Sequence, residues 1–109
     1  MPREEIRFLH LIVFFDLPVK SKEERRAAAQ FRNFLLSDGY DMLQLSVYVR
    51  ICRGQDMADK HTRRLIGHLP PSGCVRMLQV TEKQYGRMKI LVGKPSPQEK
   101  IATAQLLLF

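Results

Sequence analysis

The segment Phe8 to Asp16, FLHLIVFFD, constrains this chain more than any other. It is almost wholly apolar, rich in β-branched and aromatic side chains, and far too short to span a membrane. It therefore reads as a central strand buried on both faces. Charged residues precede it and Leu17-Pro18 follows it, so both of its ends are marked. The run is aromatic, holds His10 and ends in an acid instead of a small-residue cleavage site, which argues against a signal peptide. Asp16 stands where a buried strand meets a loop. A carboxylate there has two readings: it caps the turn through its own side chain, or it is offered to a hard divalent cation.

After Pro18 the pattern changes period. Ser21 and Glu24 have the spacing of a capping box, which predicts a helix from Lys22 to Leu36. Ala27, Ala28, Phe31, Phe34 and Leu35 share one face of it, with Lys22, Arg25, Arg26 and Arg32 opposite. Asp38-Gly39 ends the helix, Gly39 being free to adopt a positive φ. Met42 to Arg50 then alternates, with Leu43, Leu45, Val47 and Val49 on one side and Gln44, Ser46, Tyr48 and Arg50 on the other, as one strand would.

A second amphipathic helix is predicted from Gly54–Asp56 to Leu69, with Ala58, His61, Leu65 and Leu69 inward and Lys60, Arg63 and Arg64 outward. Pro70 to Gly73 stops it. Cys74 to Thr81 reads as a strand, Glu82 to Arg87 as a turn or single helical turn, and Met88 to Val92 as a further strand. The sum is an α+β chain of the ferredoxin-like βαββαβ type, four antiparallel strands under two helices. Its expected limits are residues 8–93, after a short extension over residues 1–7. Residues 94–109 form a linker and an extra C-terminal strand, Gln105 to Phe109. Helices on one side leave the other sheet face open, and a second copy packed there, through Gln44, Ser46 and Tyr48, makes a homodimer.

Charge gives the partner class. Of 109 residues, 18 are Lys or Arg and 11 are acidic, for a net charge of +7. The excess either solubilises the surface or meets a polyanion. Its placement favours the polyanion, because two separate helices oppose a cationic stripe to an apolar one. Arg25, Arg26, Arg32, Arg50, Arg53, Lys60, Arg63 and Arg64 are the expected contacts to the backbone of a DNA duplex, with no base-reading apparatus. An RNA-binding sheet of the RRM type needs aromatic residues on its central strands, and Cys74 to Thr81 has none. A small-molecule regulatory domain on this fold would leave the cationic stripes without a purpose.

Catalytic motifs are sparse. No Walker A loop, GxGxxG, GxSxG or HExxH occurs, and Cys52 and Cys74 form no CxxC, so they read as reduced thiols of a cytoplasmic protein. Asp38 and Asp41 belong to a turn, and Glu23 and Glu24 to a helix start. His10, His61 and His68 have no metal-ligand spacing and read as structural. Asp16 is the remaining candidate for chemistry, with Ser46 or Tyr48 able to bring a hydroxyl near it.

Three segments together carry a family resemblance: VFFDLP from Val13 to Pro18, the cationic helix with DGYDMLQLSVYVR from Asp38 to Arg50, and KHTRRLIGHLPPSGCVRMLQVTEKQYGRM from Lys60 to Met88. They resemble the Cas two family of small CRISPR adaptation proteins, in its type II variant. The resemblance implies a homodimer that binds double-stranded DNA and joins the Cas one integrase during spacer acquisition, with the C-terminal segment, here Leu106, Leu107, Leu108 and Phe109, contacting the partner. It also implies an alternative, a stand-alone magnesium-dependent endonuclease acting on single-stranded RNA or DNA. There Asp16 is the catalytic metal ligand, with Mg2+ held between the two Asp16 of a dimer. Many members carry a tyrosine before this aspartate, where the present chain has Phe15. The extension over Met1 to Arg7 also precedes the family's usual start.

Overall fold

A computed structural model describes residues 7–95 of the chain. The expected extension, apart from Arg7, and the C-terminal strand, Leu106 to Phe109 included, lie outside the described residues. The elements run in the order β1 (Phe8–Asp16), α1 (Lys22–Ser37), β2 (Asp41–Gln44), β3 (Val47–Arg53), α2 (Gln55–Ile66), β4 (Cys74–Thr81) and α3 (Glu82–Gly86). The sheet order is β2-β3-β1-β4 with every neighbour antiparallel, which is the ferredoxin-like arrangement. Among the described residues no helix is long and apolar enough to cross a membrane.

β1 lies between β3 and β4, as its apolar run requires. Leu9, Leu11, Val13 and Phe15 point to the helices and form the core with Phe31 and Leu35 of α1, Ala58 and Leu65 of α2, and Tyr40, Tyr48 and Cys52. The Phe15 ring meets Phe31 edge-on at 5.3 Å and Tyr48 at 5.6 Å. α1 begins as its sequence dictates. The Ser21 hydroxyl accepts from the Glu24 amide at 3.0 Å, and the Ser21 amide donates to the Glu24 carboxylate at 2.7 Å. Gly39 has φ +91°, which lets the chain reverse out of the helix.

Two strand expectations are corrected. Met42 to Arg50 is a hairpin: β2 stops at Gln44, Leu45 and Ser46 turn, and β3 begins at Val47. Neither turn residue is a Gly, Asn or Asp that would mark it, so periodicity alone reads straight through, although pairing Gln44 with Val47 puts an even and an odd position on one face. Met88 to Val92 is not a strand; its residues are exposed and outside any regular element. The hairpin supplies the strand that this segment was expected to provide. The helix α2 also ends earlier than expected, at Ile66, which leaves Leu69 exposed beyond it.

The pairing fixes the faces. Residues directly opposite in neighbouring strands share a face, so His10, Ile12, Phe14 and Asp16 lie with Val47, Val49 and Ile51 of β3 and Cys74, Arg76, Leu78 and Val80 of β4. This is the face without α1 and α2. Tyr48 pairs with Val13 and is 3% exposed within the core, so it does not belong to the open face, contrary to its expected place in a dimer interface. The β2–β3 turn is what reverses the expected assignment.

Candidate functional site at the end of the first strand

Three strands converge on Asp16. It closes β1 opposite Cys74, the first residue of β4, while the β2–β3 turn lies on the other side, where the Phe15 amide donates to the Ser46 carbonyl at 3.0 Å. Phe14, Phe15, Asp16, Ser46, Val47, Cys74 and Arg76 line a shallow pocket of about 250 Å3. Ser46 has φ 63°, the one non-glycine residue in the left-handed region among those described. Such a conformation persists only where surrounding structure holds it.

Asp16 does not cap the loop that follows it. Its exposed carboxylate makes no hydrogen bond or ion pair with any described residue, and the loop is tied instead by Arg25, whose Nη1 donates to the carbonyls of Val19 and Lys20 at 3.1 and 2.9 Å. The geometry thus gives no support to the turn-capping reading of this aspartate. The single chain does not build a cation site around it. Among the described residues no three carboxylate, histidine or cysteine side chains gather to hold a metal ion, and a hard cation takes six or more oxygen ligands. A single Asp16 fits Mg2+ only with water and a second donor-bearing chain. The Phe15 ring points into the core, away from the Asp16 face, so the missing tyrosine hydroxyl falls on the opposite side of the sheet.

Arg76 and Cys74 were not singled out by the sequence pattern. Both share the Asp16 face, and Arg76 interrupts the apolar row that Leu78 and Val80 continue there, a signal that becomes legible once the register is known. Arg76 is fully exposed, and hydrogen bonding and charge from Cys74 hold its guanidinium above its already high ordinary pKa.

The expected cationic contacts divide into two groups. Arg26, Arg32, Arg53, Lys60 and Arg63 make no ion pair or side-chain hydrogen bond among the described residues, and all but the half-buried Arg32 are exposed. Arg25, Arg50 and Arg64 are occupied, Arg25 by the Val19 and Lys20 carbonyls. Arg50 Nε donates to the Asp38 carbonyl at 2.8 Å and its Nη1 to the Ile51 carbonyl at 2.8 Å. Arg64 Nε meets one Asp38 oxygen at 2.6 Å, while His61 Nδ1 lies 2.8 Å from the other. Burial alone would raise the Asp38 carboxyl. Hydrogen bonds and charge from His61 and Arg64 outweigh that and leave it below the ordinary carboxylate value. Asp38 is thus a buried clasp joining the end of α1 to α2, and Arg50 adds β3 to it. The chain folds this way because the helix ends on a carboxylate that its own dipole disfavours, so cations from elsewhere must neutralise it.

His10 and His61 are structural, as expected. His10 is 4% exposed and stacks on Tyr85 of α3 at 4.0 Å, and neither ring nitrogen has a hydrogen-bond partner among the described residues. Both cysteines are free thiols, Cys52 buried and Cys74 exposed.

Residues 9–88 match the family model of CRISPR associated protein Cas2. A protein of Acidovorax ebreus named CRISPR-associated endoribonuclease Cas2 is 58% identical over 102 residues, covering 93% of this chain and 100% of that protein. One of the same name from Flavobacterium psychrophilum is 40% identical over 105 residues, covering 96% of this chain and 91% of its own. A third, from Campylobacter jejuni, is 44% identical over 97 residues, with 89% and 68% covered.

Proposed function

Because the chain belongs to the Cas2 family of CRISPR-associated proteins, we propose that it is a subunit of CRISPR adaptation that dimerises through its open sheet face and grips duplex DNA by the phosphate backbone. In the same proposal the dimer bridges copies of the Cas one integrase. The observation that carries this reading is the opposition of two surfaces. The sheet face without α1 and α2 keeps apolar side chains exposed, Phe14 at 38% and Leu78 at 51%, beside Val47, Ile51 and Val80, while His10, Ile12 and Val49 on it are already buried and Tyr85 of α3 stacks on His10. The free cations Arg26, Arg32, Lys60 and Arg63 lie on helices that cover the other face of the sheet. A second copy on the apolar face buries it and leaves both cationic layers outward, so one duplex can be held across two protomers.

Gln44 and Ser46 border that face and remain interface candidates. The contact to the integrase is assigned to Leu106, Leu107, Leu108 and Phe109 by sequence alone.

A second reading has its own support, the unpartnered Asp16 carboxylate together with the relatives' name of endoribonuclease. In it, two copies bring their Asp16 side chains to the shared face to hold Mg2+, and the dimer cuts RNA or DNA. Bound there, the cation would supply Lewis-acid activation of a phosphodiester and of water. The chain's own part is to hold the carboxylate unpaired and to place it in a pocket with apolar walls.

Asp16→Ala separates the two. Under the adaptor reading, complex assembly with the integrase and spacer insertion are unchanged from wild type. Under the nuclease reading, Mg2+-dependent cleavage of a single-stranded oligonucleotide is abolished. Monomers at low concentration in native mass spectrometry would sink both, since each needs two copies.

A further inference from the structure

We propose that Arg76 is a phosphate-holding residue of the Asp16 pocket, gripping one phosphodiester of a nucleic-acid strand beside the carboxylate. This rests on the reading that the pocket meets a nucleic-acid backbone, whether or not it cuts one. Phe14 and Arg76 are directly paired, and so are Asp16 and Cys74, which puts the guanidinium and the carboxylate on the same face of adjacent strands and both in the lining of the pocket. Among the described residues they are its only charged side chains. They form no ion pair with each other, and neither forms one with any other described residue. Asp16 and Arg76 are diagonal neighbours, a separation a long side chain can span. Here both are left available to a ligand.

The chemistry of that ligand follows from the pair. A carboxylate alone repels a phosphate, so an anion reaches Asp16 only if positive charge accompanies it, and Arg76 is the cation this chain supplies there. The planar fork of arginine matches two phosphate oxygens at once, which a point charge does not. The volume of about 250 Å3 suits one phosphodiester and its sugar, with Phe14 and Val47 as apolar walls. Ser46, held at φ 63°, adds the β2–β3 turn to the lining. Arg76 has no structural duty comparable to that of Arg50 or Arg64.

The test uses the full chain and a 5′-phosphorylated thymidine dinucleotide, with inorganic phosphate as the comparison probe. The Arg76 Nε–H resonance and the backbone amides of Ser46 and Cys74 are followed during titration. These signals should move together in the wild type, with R76A weakening dinucleotide binding by about tenfold and R76K falling between the two. An absent response, a response confined to Arg26 and Arg63, or an R76A variant that binds as the wild type does would each overturn the proposal. Asp16→Ala should retain the Arg76 response. A protein that binds the dinucleotide through Arg76 yet cleaves no oligonucleotide with Mg2+ defeats the nuclease reading and leaves this one standing. Cleavage by R76A with unchanged KM does the reverse.

Discussion

A Cβ on Gly73 would lie 2.7 Å from the carbonyl oxygen of Asp16 and 2.9 Å from the Leu17 side chain. The chain enters β4 against the backbone that carries the candidate carboxylate, and it does so at φ +95°, where L side chains are disfavoured. Only glycine meets both conditions. The position of Asp16 is thereby set by a residue distant in sequence that carries no chemistry of its own.

Gly73→Ala is expected to destabilise the protein by about 2 to 3 kcal/mol, the sum of a left-handed backbone penalty and a contact with main chain that cannot swing aside. Gly54 is the control. It has φ +89° but open space where a Cβ would go, so Gly54→Ala should cost only about 1 to 2 kcal/mol. Denaturant midpoints measure both. Equal losses would mean that the close approach to Asp16 contributes nothing. The Asp16 amide resonance should move in the Gly73 variant alone.

Acid should weaken the fold in two stages. Burial holds His10 at about 4, below its ordinary 6.5. The unfolded chain therefore binds the proton first, and stability falls as pH drops from 6.5 toward 4, by about 3 kcal/mol at most. His10→Phe keeps a ring against Tyr85 and removes two unpartnered nitrogens, so it should flatten the stability profile across that window. An unchanged slope between pH 6.5 and 4 would show that His10 is not its source. Asp38 acts lower. Its folded pKa lies below the ordinary 3.8, so its contribution is complete above that value and is lost as pH falls through the lower folded one.

Asp38→Asn tests the clasp directly. Removing the charge leaves buried His61 without its anionic partner and should cost about 2 to 3 kcal/mol. Most of this belongs to His61, because the Arg64 side chain is 50% exposed and its pairing is screened by solvent. In a double-mutant cycle the coupling of Asp38 to His61 should therefore exceed that to Arg64. The reverse order would place the clasp at the surface.

What the sequence disclosed and what it hid divide along a physical line. Local signals were legible: the Ser21–Glu24 box starts α1, Gly39 ends it, and the apolar run of β1 lies at the centre of the sheet. Each depends on residues a turn apart or less. The hairpin was hidden because Leu45-Ser46 has no turn residue to announce it, and with it went the side of the sheet on which Tyr48 lies. The clasp was hidden because Asp38, His61 and Arg64 come together only after α2 docks. For the same reason Arg50 and Arg64 read as surface cations. Asp16 could be found by position, but its lack of any hydrogen-bond partner, the fact that favours a ligand over a turn cap, belongs to the folded chain alone.

The division of the cations makes the last prediction. Binding to a DNA duplex should fall steeply with salt, because each phosphate neutralised releases condensed counterions. Arg26, Lys60 and Arg63 are exposed and unpaired, so changing any one to Gln should lower the slope of log K against log salt by about one for each phosphate no longer neutralised, while leaving the denaturant midpoint in place. Arg50→Gln should do the opposite. Its guanidinium is spent on the carbonyls of Asp38 and Ile51, so the damage appears in stability and the salt slope stays as it was. Arg64→Gln should fall between, with a modest loss of stability from the Asp38 pair. Salt titrations of fluorescent duplex binding, run beside denaturant melts of the same variants, give both readouts. If Arg50→Gln changed the slope as Arg26→Gln does, Arg50 would be a phosphate contact, and the structural role assigned to it by geometry would be wrong.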